Sequence, residues 1–92
     1  MILEFLKYLE VERNYSKNTI LGYENDLERF LAYTKEKRIN YLKITKEEIW
    51  EYLKYLDNLS YTPTSISRHI SALRSFYDFL KERNEITTNI FK

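Results

Sequence analysis

The sequence has 92 residues with no cysteine, one glycine, one proline and one histidine, and each scarcity excludes a class of structure or site. Without cysteine there are no disulfides and no thiolate metal sites, and a single histidine does not supply the usual ligand set of a metal centre. A single glycine excludes the glycine-rich phosphate loops of nucleotide-binding proteins. The shortage of glycine and proline also argues against a turn-rich β-fold and favours helices joined by short links.

Long apolar runs are absent as well, and none approaches the roughly 20 residues that a membrane span requires. The first segment, MILEFLKYLEVER, carries acidic residues early and is unlike a secretion signal. We therefore expect a cytoplasmic protein that has no membrane partner, no small-molecule ligand and no cofactor. The 43% hydrophobic and 32% charged composition is that of a globular protein, and the length suits one domain with a modest core.

Apolar side chains recur at the spacing of an amphipathic helix in four separate segments. We predict an all-α single domain whose four helices cover about residues 2–12, 17–37, 46–58 and 62–81. The apolar stripe of the fourth helix is wider than a surface helix needs, so we expect this helix at the centre of the core. In the third helix, the pattern leaves open whether Tyr52 or Trp50 is buried.

Helix-start signals precede three of these segments. Ser16 and Thr62 stand where N-caps are expected, and Pro63 occupies the first helical position, which has no need of its N–H. Thr45 is followed three residues later by Glu48, which predicts a capping box.

Two segments lack helical periodicity. Residues 38–44 are predicted to form an extended link that Ile39, Leu42 and Ile44 hold against the core. Residues 84–92 are polar and aperiodic, and we expect a tail or linker that docks, if at all, through Ile86 or Phe91.

We find no active site in the sequence. Ser65 and His69 lie one helical turn apart, but a continuous helix offers neither a strained elbow nor an oxyanion donor. The acidic cluster Glu47, Glu48 and Glu51 is typical of a solvated helix face. The nine tyrosines lie mostly at helical spacing beside apolar residues, where a core or rim role is expected.

Binding is the function that remains, and the polar face of the fourth helix is the first candidate. The net charge of the chain is only +1, so a local basic face is needed to attract nucleic acid. Between residues 60 and 77 there is no carboxylate, although the chain has 14 Asp and Glu residues. Side chains that can bond to phosphates or base edges line this face: Thr64, Ser65, Ser67, Arg68, Ser71 and Arg74.

The start of the second helix is the other candidate. A cation and three hydrogen-bonding side chains, those of Ser16, Lys17, Asn18 and Thr19, stand at the positive end of a helix dipole, where phosphates bind readily. Gly22, one turn further on, either permits close approach of a backbone or eases helix packing. Further along, Glu24, Asp26 and Glu28 make the middle of this helix acidic.

The residues alone also allow other readings. Ser16 caps a helix whatever else it does, and a serine-rich helix face is often only solvated. DNA or RNA binding therefore competes with a helical protein–protein interaction module, for which aromatic side chains are the expected anchors. Those anchors would be Tyr8, Tyr15, Trp50, Tyr55 and Tyr61.

Four stretches, taken in order, resemble one known family. They are F-L-x-Y-L at Phe5–Leu9, N-Y-S-K-N-T-I-L-x-Y-x-x-D-L-x-x-F at Asn14–Phe30, T-x-E-x-I-x-x-Y-L at Thr45–Leu53 and S-I-S-R-H-I-S-A-L-R-S-F-Y-D-F-L at Ser65–Leu80. Together they resemble the N-terminal core-binding domain of tyrosine recombinases, the family of phage integrases and Xer-type resolvases. The similarity covers about residues 2–83.

The resemblance implies a four-helix orthogonal bundle of the SAM-like type, which with a second domain clamps double-stranded DNA at a recombination site. The second and fourth helices are then expected against the major groove and its phosphates. By position, Ser16, Lys17, Asn18 and Thr19 would contact the DNA backbone. Thr64, Ser65, Arg68 and His69 would lie at or near the groove, with Ser71 and Arg74 alongside.

The resemblance further implies that residues 1–83 form the core-binding domain and that residues 84–92 begin a linker to a C-terminal catalytic domain missing from this chain. The family's catalytic residues belong to that domain, so the chain is not expected to be an enzyme by itself. Other recombinase protomers on the DNA are expected partners. The family often has Asn-Pro after the fourth helix, whereas Asn84-Glu85 and Asn89-Ile90 lack the proline.

Overall fold

The computed structural model describes residues 2–91, and within this span it contains four α-helices, one short 3-10 helix and no β-strand. The prediction of an all-α, four-helix domain is confirmed. Met1 and Lys92, the first residue of the predicted domain and the last of the predicted linker, lie outside the described residues. The helices agree with the predicted ends to within one residue and are α1 (Ile2–Val11), α2 (Lys17–Glu36), α3 (Lys46–Asn58) and α4 (Pro63–Glu82).

The helix N-termini are capped as predicted. The side chains of Ser16 and Thr62 each accept a hydrogen bond from the backbone N–H three residues later. The Thr45 hydroxyl accepts from the Glu48 N–H at 3.2 Å, and the Glu48 carboxylate accepts from the Thr45 N–H at 2.9 Å. Each of these bonds satisfies a backbone donor that the first helical turn leaves without an intrahelical partner.

The C-termini of α2, α3 and α4 end at residues with positive φ that are not glycine. Arg38, Ser60 and Asn84 have φ of 58°, 66° and 61°. After the first of them, the Ile39 N–H bonds to the carbonyl of Thr34 at 2.8 Å, and the same pattern follows at the other two ends. This is the Schellman termination, which usually uses glycine because a Cβ costs about 1–2 kcal/mol in the left-handed region.

The core is built around α4, as predicted. This helix packs against α2 and α3, and α2 packs against α1. Of the two candidates in α3, Tyr52 is fully buried, whereas Trp50 is 68% exposed. The buried apolar side chains are Phe5, Leu9, Leu27, Phe30, Tyr33, Ile44, Tyr52, Leu56, Ala72, Leu73, Phe76, Tyr77, Phe79 and Leu80.

The link between α2 and α3 differs from the predicted extended segment. The side chain of Asn40 accepts the N–H of Leu42 at 3.0 Å and starts a 3-10 turn over Tyr41–Lys43. Asparagine favours such turns because its carbonyl reaches a backbone N–H two residues on. The predicted anchors do hold the link, since Ile44 is buried and Ile39 and Leu42 are half-buried against the core.

The segment after α4 folds back onto that helix. The side-chain amide of Asn89 donates to the Arg74 carbonyl at 3.0 Å and to the Asp78 carboxylate at 2.9 Å, while its oxygen accepts the Phe91 N–H at 2.9 Å. Phe91 packs on Tyr77 with ring centroids 4.8 Å apart. Docking through Phe91 is thus found, and Ile86 also contacts the core. Where a linker begins stays a prediction.

Candidate nucleic-acid interface

The polar face of α4 lies largely at the surface. Arg68 lies one helical turn after Thr64, the first residue of this face, and Arg74 lies nearly two turns after Arg68. The side chains of both arginines are exposed. The hydroxyl-bearing residues of the face differ in exposure. Thr64 and Ser67 are exposed, whereas Ser65, Ser71 and Ser75 are half-buried. From Thr64 to Ser75 the face can therefore offer cations and hydroxyls to a ligand, and the first carboxylate of the helix is the half-buried Asp78.

The start of α2 forms a second polar cluster, in which Ser16, Lys17, Asn18 and Thr19 are all exposed. The Ser16 hydroxyl lies 2.9 Å from the Thr19 hydroxyl and also accepts the Thr19 N–H. These two side chains thus hold each other in place, while those of Lys17 and Asn18 reach the surface. The positive end of the helix dipole and one lysine suit this cluster to a phosphate group.

An ion pair joins α2 to α4. The Asp26 carboxylate accepts from Arg68 Nε at 2.9 Å and from Arg68 Nη2 at 2.8 Å. The side chain of Asp26 is 3% exposed, whereas that of Arg68 is 51% exposed. Residues 60–77 contain no carboxylate, and α2 supplies one to Arg68 from below the surface.

Both members of this pair are charged. Burial raises the pKa of Asp26, but interactions with His69 and Arg68 outweigh it, and the pKa lies below its ordinary value. The hydrogen bonds to Asp26 raise the pKa of Arg68 more than partial burial lowers it. A buried carboxylate needs such partners, because an unpaired buried charge is strongly destabilising.

His69 lies in the core, which corrects the expectation that it lies at or near the groove. Its side chain is 0% exposed, and its Nε2 is 2.6 Å from the Tyr52 hydroxyl. Its Nδ1 is 3.4 Å from Asp26 Oδ1, close enough for attraction but not aligned for a hydrogen bond. The physical reason is helical spacing, since position 69 stands three and four residues before the buried Ala72 and Leu73.

Arg74 also bonds within the chain. Its Nε donates to the carbonyl of Phe91 at 3.2 Å, so the arginine contacts the segment that follows α4. Arg68 thus has one edge of its guanidinium occupied, and Arg74 has its Nε–H occupied. The remaining donors of each exposed side chain can reach a ligand.

Asp26 is the residue that the sequence analysis missed, because it was grouped with Glu24 and Glu28 as part of an acidic helix middle. Its position in the helix is the signal that could have identified it. Asp26 stands three residues after Tyr23 and four before Phe30, which places it inside the apolar stripe of α2. A carboxylate at such a position needs a buried or half-buried cation, and the acid-free stretch of α4 contains the arginine that pairs with it.

Gly22 is not required for packing within the chain. A Cβ added at this position would have no neighbouring heavy atom within 4 Å, and the residue has no positive φ. Of the two explanations offered for this glycine, the one in which it eases helix packing is therefore excluded. Close approach of an external group to the backbone remains.

The proposed aromatic anchors differ in exposure. Trp50 is 68% exposed, whereas Tyr8, Tyr15, Tyr55 and Tyr61 are half-buried and pack against other rings. Trp50 borders an open apolar hollow of about 300 Å³, whose other walls are Lys46, Ile49, Leu53, Ile70, Ile90 and Phe91.

Among residues 2–91, the structure contains no group of three or more His, Cys, Asp or Glu residues that could hold a metal ion. None of the helices in the described part of the chain has the length and apolar character needed to cross a bilayer.

The family model described as the phage integrase N-terminal SAM-like domain matches residues 2–84. The chain belongs to this family. The match confirms the resemblance seen in the sequence, and it extends over all four helices. No solved structure matches the chain at a significant level.

Curated relatives of the chain are recombinases. It is 46% identical over 88 residues to the tyrosine recombinase XerC of Listeria innocua, covering 95% of this chain and 29% of that protein. It is 39% identical over 88 residues to the tyrosine recombinase XerD of Rickettsia conorii, covering 96% of this chain and 29% of that protein. The chain thus spans less than a third of the length of these relatives.

Proposed function

We propose that this domain binds double-stranded DNA at a recombination site, through the start of α2 and the polar face of α4. The observation that supports the proposal is the exposed pair of Arg68 and Arg74 on a stretch of α4 that has no carboxylate of its own, in a chain of the integrase N-terminal family. Arginine and hydroxyl side chains are common partners of phosphates and base edges.

The two clusters divide the task. Ser16, Lys17, Asn18 and Thr19 contact phosphates, which fixes the position and register of the domain on the duplex. Thr64, Ser65 and Arg68 lie at the major groove, with Ser71 and Arg74 alongside. His69 is left out of this interface because its side chain is covered by the core.

We further propose that cutting and rejoining of DNA is carried out by residues outside this chain. The relatives named tyrosine recombinases are more than three times as long as the matched segment. In this proposal the domain holds DNA for a catalytic domain and lies beside other recombinase protomers on the site. The function would take place in the cytoplasm, the location expected from the sequence.

A titration of fluorescent duplex DNA with this chain tests the proposal. One duplex carries a candidate inverted-repeat recombination site and the other carries its scrambled sequence, and each titration is repeated at several salt concentrations. Lys17→Ala should weaken binding to both duplexes and lower the slope of log affinity against log salt by about one, since one phosphate contact is lost.

Lys54→Ala is the matched control, because Lys54 is an exposed lysine on α3, outside the proposed interface. It should change the affinity and the slope much less than Lys17→Ala. Equal effects of the two substitutions would assign the binding to overall charge and reject the α2 phosphate site. Absence of binding at low salt would reject DNA binding by this domain.

A protein–protein interaction module is the second candidate function, and the exposed Trp50 beside an apolar hollow favours it. Tryptophan at the edge of such a hollow is a frequent interface anchor. Analytical ultracentrifugation without DNA tests this function. Concentration-dependent dimers that Trp50→Ala abolishes would support it, and a monomer at all concentrations would reject self-association through this surface.

A further inference from the structure

The ion pair between α2 and α4 fixes the direction in which Arg68 presents its donors. A guanidinium has five N–H donors, and Asp26 takes the one on Nε and one of the two on Nη2. The other Nη2 proton and the two Nη1 protons remain. One proton on each of these nitrogens forms the end-on edge of the guanidinium, which is a fork for two acceptor atoms.

The carboxylate also changes what this arginine can recognise. Asp26 and Arg68 carry opposite charges at 2.8 Å, so the pair as a whole attracts a phosphate much less than a free arginine does. The geometry of the fork is retained. The two N–H groups of this edge have a fixed geometry and belong to a pair with little net charge, so they suit two uncharged acceptor atoms. The O6 and N7 atoms of guanine in the major groove are two such acceptors.

Asp26 is itself held in place from beneath. His69 Nδ1 lies 3.4 Å from Asp26 Oδ1, and His69 Nε2 lies 2.6 Å from the Tyr52 hydroxyl. All three of these side chains are buried, so the chain of contacts runs from α3 through α4 and α2 to the half-exposed Arg68. An arginine supported in this way loses less side-chain entropy on binding than a free one.

We propose that Asp26 is a positioning residue that aims the end-on edge of Arg68 at a guanine in the major groove. This inference rests on the proposed DNA-binding function and adds to it a specificity determinant and the base that is read. It separates Arg68, as a base reader, from Lys17, as a phosphate contact.

The first step of the test is selection, by the wild-type 92-residue chain at low salt, of duplexes with a randomised central segment. Guanines in the selected duplex are then replaced one at a time by 7-deazaguanine, which lacks the N7 acceptor. We expect one position at which this replacement weakens wild-type binding by about 5- to 100-fold.

In the Asp26→Asn and Arg68→Lys variants, the duplexes with guanine and with 7-deazaguanine at that position should be bound with nearly equal affinity. The double variant should show no further change, because Asp26 acts through Arg68. Asp26→Asn also removes a negative charge, so its affinity for scrambled DNA should stay equal or rise. A merely structural role of Asp26 would instead lower binding to every duplex, in proportion to the loss of folded protein.

Each contrary result has its own meaning. If the wild type selects no duplex, the proposed function fails and this inference fails with it. If it selects a duplex but no guanine replacement matters, or Asp26→Asn keeps the full penalty, only the inference is overturned. If Arg68→Ala lowers the salt slope by about one without affecting guanine discrimination, Arg68 contacts a phosphate and the inference is also overturned.

A measurement on the unmodified chain covers the case in which Asp26→Asn does not fold. Nitrogen relaxation of the Arg68 Nε–H group reports its motion before DNA is added. If Asp26 holds Arg68 in place, the order parameter should be near that of rigid backbone, about 0.85, whereas a value below about 0.6 would show a mobile side chain and overturn the positioning role.

Discussion

The Tyr52 hydroxyl of α3 lies 2.6 Å from Nε2 of His69 on α4, and both side chains are buried. Burial raises the pKa of this tyrosine, so the hydroxyl keeps its proton. With Tyr52 as the donor, Nε2 of His69 is the acceptor, and Nδ1 is the ring nitrogen that faces Asp26. A polar chain thus crosses the core, and it explains why the one histidine of the sequence is structural.

Tyr52→Phe should lower the free energy of unfolding by about 1–3 kcal/mol, because it leaves the buried Nε2 of His69 without a partner. Urea unfolding followed by circular dichroism measures the change. Tyr55→Phe, at a half-buried neighbouring tyrosine, is the control and should stay within about 0.5 kcal/mol of the wild type. Equal changes in the two variants would contradict a special role of the Tyr52–His69 bond.

Acid should weaken the fold through Asp26. Its folded pKa is below the ordinary value, so the unfolded chain takes up the proton first as the pH falls. The contribution of Asp26 to stability is therefore fully present above the ordinary carboxyl range, near pH 4, and is lost as the pH falls through the folded pKa.

Asp26→Asn removes this titration. The stability of the variant should be lower than that of the wild type at pH 7, and it should fall less steeply between about pH 5 and pH 2. Thermal melts across this range measure both curves, and the other carboxylates affect them equally. Parallel curves for the two proteins would contradict the lowered pKa.

Arg38→Gly should stabilise the chain by about 0.5–1 kcal/mol, because glycine adopts the positive φ of 58° without steric cost. The melting temperature would rise by a few degrees in a domain of this size. The preceding residue is a matched control, since Lys37 has a helical φ of −83°. Lys37→Gly should be destabilising, and a gain in both variants would refute the conformational explanation.

Gly22→Ala separates folding from binding. Alanine should stabilise α2 by about 0.8–1 kcal/mol, because a Cβ at this position has open space around it. If the backbone at Gly22 approaches the DNA, the same Cβ weakens affinity for duplex DNA, and we expect this loss in a fluorescence titration. A variant that is more stable and binds DNA equally well would exclude close approach at Gly22.

Helices could be predicted from the sequence because their signals are local. The periodic apolar residues, the caps at Ser16 and Thr62 and the box of Thr45 with Glu48 all act within a few residues. Local signals did not predict the positive-φ residues at the helix C-termini, where glycine is the usual sequence mark. Arg38 and its counterparts after α3 and α4 adopt the left-handed conformation without a sequence mark.

The candidate site was predicted only in part, because its key contacts link residues far apart in the sequence. Asp26 and Arg68 are 42 positions apart, and neither local stretch shows the pairing. The family resemblance places His69 at or near the groove, whereas its spacing from the buried Ala72 and Leu73 places its side chain in the core. Asn89 likewise holds the last segment through bonds to Arg74 and Asp78, in a stretch without periodicity.

Amide chemical-shift mapping of the labelled chain with duplex DNA would locate the DNA-binding surface residue by residue. Signals from residues 16–19 and 64–68 should shift as duplex is added and return as salt is raised, while those of residues 47–54 on α3 stay in place. Shifts that instead centre on Trp50 and its hollow, with none at the start of α2 or along the α4 face, would contradict DNA binding through α2 and α4.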